Sequence, residues 1–220
     1  RRLEAARISA PQPPIAPQLQ KFVDDKTISG AVTLVASPKR VLSLEAVGFA
    51  DIAAKKPMAE DAMFWIASMT KPIAGSAILQ LRDEGRLSLE DPVEKHLPEF
   101  KDQWLAQERS EAKQLLVRPS RVITIRDLLT HTSGMGDAPA QRFDASLAEV
   151  VAAYARVPLS FEPGSRWSYC NPGINTLGRI VEVVSGIPLA SYLEKRFFKP
   201  LGMRDTTFWP TPSQVKRLAK

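Results

Sequence analysis

The most informative part of the chain is FWIASMTKPIAGSAILQL, residues 64–81, in which Ser68, Thr70 and Lys71 precede a mainly apolar run. Apolar residues recur at helical spacing from Ile73 to Leu81, and Gly85 is suited to end a helix there. Ser68 stands just before this helix, and Lys71 follows three residues later, which is about one turn. The pattern predicts a buried helix whose N-terminus presents a serine and a lysine on the same side.

This placement suits nucleophilic chemistry. A serine at a helix N-terminus has backbone N–H groups and the positive end of the helix dipole nearby, and both favour negative charge on a tetrahedral intermediate. A lysine that is partly withdrawn from water can take part in proton transfer from a serine hydroxyl. The alternative is that Ser68 is a plain N-cap and Lys71 a solvated first-turn residue, because Ser-x-x-Lys occurs by chance in many proteins. A solvated lysine is unexpected at the head of so apolar a helix, which favours the catalytic interpretation.

The segment FEPGSRWSYCN, residues 161–171, supplies two further candidates. A tyrosine phenol held near an ammonium group is pushed toward phenolate, so Tyr169 could act as a general base for Ser68. The Asn171 amide could hydrogen-bond a substrate carbonyl or tether the lysine. The alternatives are that Tyr169 is a buried aromatic with a satisfied hydroxyl, and that Asn171 is the N-cap of a helix with Pro172 in its first position.

Other reactive side chains fit a structural role better. His131 invites a Ser-His-Asp interpretation, but no serine of the chain lies in a G-x-S-x-G run, so we expect a structural histidine near a helix end. Cys170 has no histidine near it in sequence, and we expect it to fill space beside Tyr169. A single cysteine, and two histidines far apart at His96 and His131, predict neither a disulfide within the chain nor a metal site, and we expect no cofactor.

Composition narrows the class of protein. The chain has 220 residues, of which 44% are apolar and 25% charged, as in ordinary globular proteins. The net charge is +6, but the basic residues are scattered and not interleaved with aromatics, which argues against a nucleic-acid partner. No apolar run approaches the roughly 20 residues that a membrane-spanning helix needs.

The strand signals are confined to the beginning of the chain. Residues 30–37 and 41–50 are β-rich and are separated by a Pro-Lys-Arg turn, which predicts a hairpin, and we see no strand in the last 150 residues. We therefore expect an N-terminal helix and sheet strands over residues 1–60 and a mainly helical lobe over residues 61–220. A hairpin alone is marginal, so we expect the remaining sheet strands beyond residue 220.

Two helix starts in the helical lobe have a chemical signature. Thr124 and Asp127 form a capping-box pattern with Asp in place of the usual Glu, and Ser146 and Glu149 form the usual one.

Four segments together resemble a known family: serine β-lactamases of class C, penicillin-binding proteins such as the D-alanyl-D-alanine carboxypeptidases, and related esterases. They follow the order and spacing of that family and are FWIASMTK (64–71), LLTHTSGM (128–135), FEPGSRWSYCN (161–171) and PLGMRDTTF (200–208). The resemblance implies an α/β (α+β) fold of the β-lactamase/transpeptidase type, with an antiparallel sheet and a helical lobe. It also implies that Ser68 is the acylated nucleophile, that Lys71 and Tyr169 share the proton transfers, and that Asn171 helps to position the substrate.

The family has a third motif, Lys-Thr-Gly or a variant, on a late strand that supplies the second oxyanion N–H beside that of Ser68. This motif is absent from the 220 residues. We expect the C-terminal remainder of the same protein, or a second chain, to complete the sheet and the site. Losing one oxyanion donor costs on the order of a hundredfold to a thousandfold in rate, so residues 1–220 alone should be nearly inactive.

The substrate class is less constrained. The resemblance implies a small-molecule ester or β-lactam substrate, and the Ser-x-Thr-Lys form of the first motif favours short-chain esters. β-Lactamase activity and a D-alanyl-D-alanine peptidase are the next candidates. A catalytically weak penicillin-binding sensor or scaffold is the alternative from a different functional class.

Overall fold

The structure, a computed structural model, describes residues 14–109, 114–136 and 144–220. These residues form two compact units, one comprising residues 14–66 and 201–220 and the other the described residues between 67 and 200. In chain order the elements are α1 (Ala16–Asp24), β1 (Gly30–Ala36), β2 (Val41–Asp51), β3 (Lys56–Pro57), a 3-10 turn (Ala67–Met69), α2 (Thr70–Asp83), α3 (Val93–His96), a 3-10 turn (Pro98–Phe100), β4 (Leu105–Arg109), β5 (Gln114–Val117), α4 (Ile125–Leu129), α5 (Leu147–Tyr154), α6 (Asn171–Ser185), α7 (Leu189–Leu193), a π-helical turn (Glu194–Phe198), α8 (Lys199–Leu201) and α9 (Pro212–Val215).

The first unit is built on an antiparallel sheet in the order β1-β2-β3. Gly30 pairs with Gly48 and Leu34 with Leu44, so the predicted hairpin is confirmed. The segment 201–220 belongs to this unit: the Lys220 N–H donates to a carbonyl oxygen of β2, that of Ala50, at 2.7 Å. The sheet is thus formed by the early part of the chain and joined by a late segment.

The second unit, the helical unit (residues 67–200), is organised around α6, which packs against α2, α4, α5 and α7. Its buried face includes Leu177 and Ile180, and the facing helix α2 buries Ile78 and Leu81 completely. Full burial of an aliphatic side chain of this size contributes about 1.5–3 kcal/mol. The core therefore fixes α2 and α6 side by side, and these two helices carry the predicted site residues at or next to their N-termini.

Both predicted capping boxes are confirmed. The Thr124 hydroxyl accepts the Asp127 N–H at the start of α4, and Ser146 accepts the Glu149 N–H at the start of α5.

Two other predictions are wrong. The last 150 residues do contain strands, because β4 and β5 pair as an antiparallel hairpin. These strands have only five and four residues, and neither shows the alternation of apolar and polar residues by which a strand is recognised in sequence. The N-cap of α6 is Cys170 and not Asn171: the Cys170 sulfur accepts the Gly173 N–H at 3.3 Å, and Asn171 is the first helical residue.

Candidate active site

Ser68 lies on a tight turn at the start of α2. The residue before it, Ala67, has a positive φ of 42°, a conformation that non-glycine residues rarely adopt. Such strained positions concentrate at functional sites, because the surrounding structure must hold them in place. The turn leaves the Ser68 side chain exposed, while Lys71 is half-buried on the first turn of the helix.

The serine and lysine are in direct contact. The Lys71 ammonium donates a hydrogen bond to Ser68 Oγ at 2.9 Å. Among the residues that the structure describes, no carboxylate lies within ion-pair distance of Lys71. The positive charge of this lysine is therefore directed at a hydroxyl group.

Tyr169 completes the group from the loop before α6. Its hydroxyl donates to Ser68 Oγ at 2.7 Å, and the Lys71 Nζ lies 4.7 Å from the centroid of its ring. The Lys71 ammonium and the hydrogen bond with Ser68 both lower the pKa of the phenol, and they outweigh the effect of burial. This arrangement favours the phenolate, which is the form that can take a proton from a serine.

Asn171 is close in sequence but is not part of this group. It is exposed, and its side chain makes no hydrogen bond to the residues that the structure describes. The structure thus brings together Ser68, Lys71 and Tyr169, the Ser68 cluster, and leaves the Asn171 amide free to face solvent.

His131 lies behind Tyr169. Its ring stacks on the Tyr169 ring with the centroids 4.9 Å apart, and its Nδ1 accepts the Cys170 N–H at 3.1 Å. Burial and the positive charge of Lys71 lower the pKa of this histidine. Sequence reasoning expected a structural histidine here and missed its contact with the tyrosine.

The glycine of the THTSG segment allows this part of the chain to approach the loop before α6. Gly134 has a φ of 79°, and a Cβ at this position would collide with the carbonyl oxygen of Phe161. The two segments are held together by the Ser160 N–H, which donates to Gly134 O at 2.7 Å, and the Gly164 N–H, which donates to Thr132 O at 2.7 Å. Only glycine combines this backbone angle with so close an approach.

A buried aspartate anchors the same segment. Asp127 accepts two hydrogen bonds from the Arg121 guanidinium, at 2.6 and 2.8 Å, and its backbone carbonyl accepts the Thr132 N–H. Burial opposes ionisation of Asp127, but the hydrogen bonds from Arg121 and Thr124 outweigh it and lower the pKa of the carboxyl. The Asp127 carboxylate also accepts a hydrogen bond from the Thr132 hydroxyl at 3.2 Å, so Asp127 ties the start of α4 to the turn that carries His131.

A second group of titratable side chains, the Asp91 cluster, lies elsewhere in the helical unit. Asp91 accepts hydrogen bonds from the Lys95 ammonium at 2.7 Å and from His96 Nε2 at 3.0 Å. Burial opposes ionisation of Asp91, but bonds from Lys95, the Ser88 N–H and His96 outweigh it and lower its pKa to about 2. All of these groups are mutually satisfied, as is typical of a structural ion pair.

A pocket of about 360 Å³ also lies in the helical unit, lined by residues of α3, the segment 100–103, the segment 118–123 and Leu159. None of the predicted site residues lines it. Within the described part of the chain, no group of three His, Cys, Asp or Glu residues is arranged to hold a metal ion. Over the same residues, no helix is both long enough and apolar enough to cross a membrane.

Comparison with known proteins assigns the chain to a family. A family model described as Beta-lactamase matches residues 15–220. The chain belongs to the beta-lactamase family. Esterase EstB of Burkholderia gladioli is 36% identical over 200 residues, a match that covers 84% of this chain and 48% of EstB. Lovastatin esterase of Penicillium rubens is 35% identical over 178 residues, which cover 74% of this chain and 44% of that protein.

A solved structure confirms the fold. EstCE1, described as a hydrolase with promiscuous acyltransferase activity, superposes with a TM-score of 0.78 at 32% identity, covering 91% of this chain and 53% of EstCE1. The fold is thus β-lactamase/transpeptidase-like, with antiparallel strands and a helical lobe, as the resemblance implied. The chain spans about half the length of the relatives that it matches.

Proposed function

We propose that this member of the beta-lactamase family is a serine hydrolase that forms an acyl-enzyme on Ser68 and acts on small carboxylic esters. The observation that carries the proposal is the convergence of Lys71 and Tyr169 on Ser68 Oγ, at 2.9 and 2.7 Å. Covalent catalysis requires a nucleophile with a base within hydrogen-bond reach. In this site, a nearby cation also stabilises the charged form of the base.

In the proposed acylation step, the Ser68 hydroxyl gives its proton to the Tyr169 phenolate, and Oγ attacks the ester carbonyl carbon. The nearby Lys71 ammonium keeps the phenolate in its charged form before the transfer and stabilises the negative charge that moves to Oγ. The Ser68 N–H, near the N-terminus of α2, donates to the carbonyl oxygen as it becomes an oxyanion. Collapse of the tetrahedral intermediate breaks the bond to the leaving alcohol, which takes the proton from Tyr169.

Deacylation reverses the roles. A water molecule gives a proton to the Tyr169 phenolate and attacks the acyl carbon, and the acid leaves as Ser68 Oγ regains the proton. Both half-reactions use the same base, so a change at Tyr169 should slow acylation and deacylation together.

Esters are favoured as substrates by two observations. The first motif carries Thr70 directly before the lysine, in the Ser-x-Thr-Lys form. Two of the similar proteins are esterases by name, and EstCE1 is named as a hydrolase with acyltransferase activity. Acyl transfer between esters and hydrolysis share the acyl-enzyme, so both kinds of reaction are compatible with one site.

A second candidate is β-lactam hydrolysis, which the match to the Beta-lactamase family model supports. It would use the same nucleophile and base and differ in the bond that is opened. The role of Asn171 as a substrate contact stays a prediction, supported by its exposed position at the start of α6.

The test compares p-nitrophenyl butyrate with nitrocefin, using the full-length protein and the variant Ser68→Ala. We expect the ester to be hydrolysed with the higher kcat/KM, and Ser68→Ala to lose at least about a thousandfold on both substrates. Ser76→Ala is the matched control, since Ser76 is an exposed serine of α2 whose hydroxyl bonds the Pro72 carbonyl of its own helix. Faster turnover of nitrocefin would favour the β-lactamase alternative, and an active Ser68→Ala variant would refute the acyl-enzyme proposal.

A further inference from the structure

His131 contacts three consecutive residues of the loop that carries the proposed base, Ser168, Tyr169 and Cys170. The backbone carbonyl of His131 accepts the Ser168 N–H at 2.9 Å, its ring stacks on the Tyr169 ring at 29° between the planes, and its Nδ1 accepts the Cys170 N–H at 3.1 Å. The residues on either side of the base are therefore both hydrogen-bonded to the residue that supports its ring.

The backbone of His131 is itself held in an unusual conformation. Its φ is 59°, in the left-handed region that most side chains avoid. The hydrogen bond from the Thr132 N–H to Asp127 O, and that from the Gly164 N–H to Thr132 O, fix the chain immediately after it. A residue in a strained backbone conformation that neighbouring hydrogen bonds hold in place is expected where a side chain must be positioned precisely.

We propose that His131 is a positioning residue for the hydrolysis reaction: as a neutral imidazole it holds the Tyr169 phenol against Ser68 Oγ. The inference rests on the proposed function, because it assigns Tyr169 the part of the base. His131 makes no contact with Ser68 among the bonds of the described residues, so its influence passes through Tyr169.

The requirement for a neutral ring follows from the direction of the hydrogen bond. Nδ1 accepts a backbone N–H, so its lone pair must be free and the ring proton lies on Nε2. Protonation would place two N–H groups against each other and break this bond. The titratable groups around the ring in the described structure are Lys71, Tyr169 and Cys170, and burial together with the charge of Lys71 lowers the pKa of His131.

Two substitutions separate the contributions of the ring and the acceptor. His131→Asn offers an amide oxygen as acceptor and tolerates positive φ better than most residues, but it removes the stacked ring. His131→Phe keeps a stacking ring and removes the acceptor. We expect kcat on p-nitrophenyl butyrate to fall about ten- to a hundredfold in His131→Phe, with KM changed less than about threefold, and to fall less in His131→Asn.

The pH profile supplies a readout that a merely structural role would not move. In the wild type, log kcat/KM should fall with a slope of one as Tyr169 becomes protonated. It should steepen toward two at still lower pH, where His131, whose pKa is lowered from the ordinary histidine value, also takes a proton. In His131→Asn the slope should stay at one. His96→Asn is the matched control, because His96 contacts Asp91 and not the base loop, and it should keep the wild-type slope and a kcat within about twofold.

The outcomes separate this inference from the proposed function. Absence of hydrolysis in the wild-type protein would refute both, whereas an active wild type that loses activity in Ser68→Ala supports the proposed function alone. On that background, a His131→Phe variant with wild-type kcat, or a His131→Asn variant that keeps the steep acid limb, would overturn the positioning role. If His131→Phe fails to fold, the slope of His131→Asn decides the question.

Discussion

The Ser68 cluster and the Asp91 cluster are made of similar parts and differ in what the cation faces. Each lies in the helical unit and has a lysine beside one acidic group. A histidine contacts that group in both: His96 bonds to Asp91, and His131, outside the Ser68 cluster, stacks on Tyr169. In the Asp91 cluster that group is a carboxylate with a pKa of about 2, which is ionised over the whole physiological range and pairs with Lys95 at 2.7 Å. Its charges cancel, and the cluster contributes to stability.

In the Ser68 cluster the central acid is a phenol, and the lysine faces a serine hydroxyl and the phenol ring. A free phenol ionises near pH 10. The Lys71 charge lowers the pKa of Tyr169, but no carboxylate of the described residues neutralises the charge of this lysine. The positive charge therefore remains available to a developing negative charge. A lysine is thus available for chemistry where no carboxylate of the fold pairs with it.

The largest expected effect comes from removing the lysine that lacks a carboxylate partner. Lys71→Ala should lower kcat/KM on p-nitrophenyl butyrate by about 10³- to 10⁴-fold, because it removes both the bond to Ser68 Oγ and the cation that favours phenolate. Steady-state kinetics of Lys71→Ala and of the matched variant Lys95→Ala check this. Equal losses in the two variants would mean that the clusters do not differ in function.

Removing the phenol hydroxyl should have the next largest effect. Tyr169→Phe keeps the stacking on His131 and loses the base, so kcat should fall by about 10²- to 10³-fold, within the range of general base catalysis. Tyr154→Phe is the matched control, since the Tyr154 hydroxyl accepts a hydrogen bond from the Asn175 side chain and does not contact Ser68. A Tyr169→Phe variant with more than about a third of the wild-type kcat would assign the base to another group.

The Asp91 cluster should respond in stability and not in rate. Asp91→Asn should lower the free energy of unfolding by about 2 kcal/mol at pH 7, which corresponds to the lowering of the pKa from 3.8 to about 2. Because the folded-state pKa is lowered, this stabilisation is present above about pH 4 and is lost as the pH falls toward 2. Urea unfolding of both proteins between pH 7 and pH 2 measures it.

The two free-energy curves should converge at the acid end, while kcat/KM at pH 7 stays within about twofold of wild type. If the difference in the free energy of unfolding did not change with pH, the ionised form of the Asp91 carboxylate would not be the source of the stabilisation.

The smallest effect is expected for one surface partner of that cluster. Lys95 is more than half exposed, so Lys95→Ala should lower the free energy of unfolding by less than about 1 kcal/mol. Thermal unfolding measured at low and at high salt checks this, since an exposed ion pair is screened by salt. A loss above about 2 kcal/mol would mean that the pair is desolvated more than its exposure indicates.

The parts of this picture that could be predicted from sequence depend on local spacing. Ser68 and Lys71 are three residues apart on one helix, so helical geometry alone brings them together. The capping boxes at Thr124 and Ser146 are likewise local, and both are confirmed. Tyr169 lies 101 residues after Ser68, so the chemistry of its side chain made it a candidate base, and the family resemblance favoured that role over a structural one.

The parts that could not be predicted depend on tertiary contacts or weak patterns. His131 contacts the base loop through backbone and ring, and nothing in LLTHTSGM specifies that loop as its partner. The N-cap of α6 is a cysteine sulfur, an acceptor too weak to be expected ahead of the neighbouring asparagine amide. The strands of the β4–β5 hairpin are too short to show strand periodicity.

The most direct test of the central claim is to locate the covalent adduct. The full-length protein is treated with a fluorophosphonate probe, digested, and its labelled peptide identified by mass spectrometry. The acyl-enzyme proposal predicts one phosphonylated residue, Ser68, with labelling abolished in Ser68→Ala and slowed in Lys71→Ala but unchanged in Lys95→Ala. A stable adduct on any other residue, or labelling of Ser68 that is indifferent to the loss of Lys71, would contradict it.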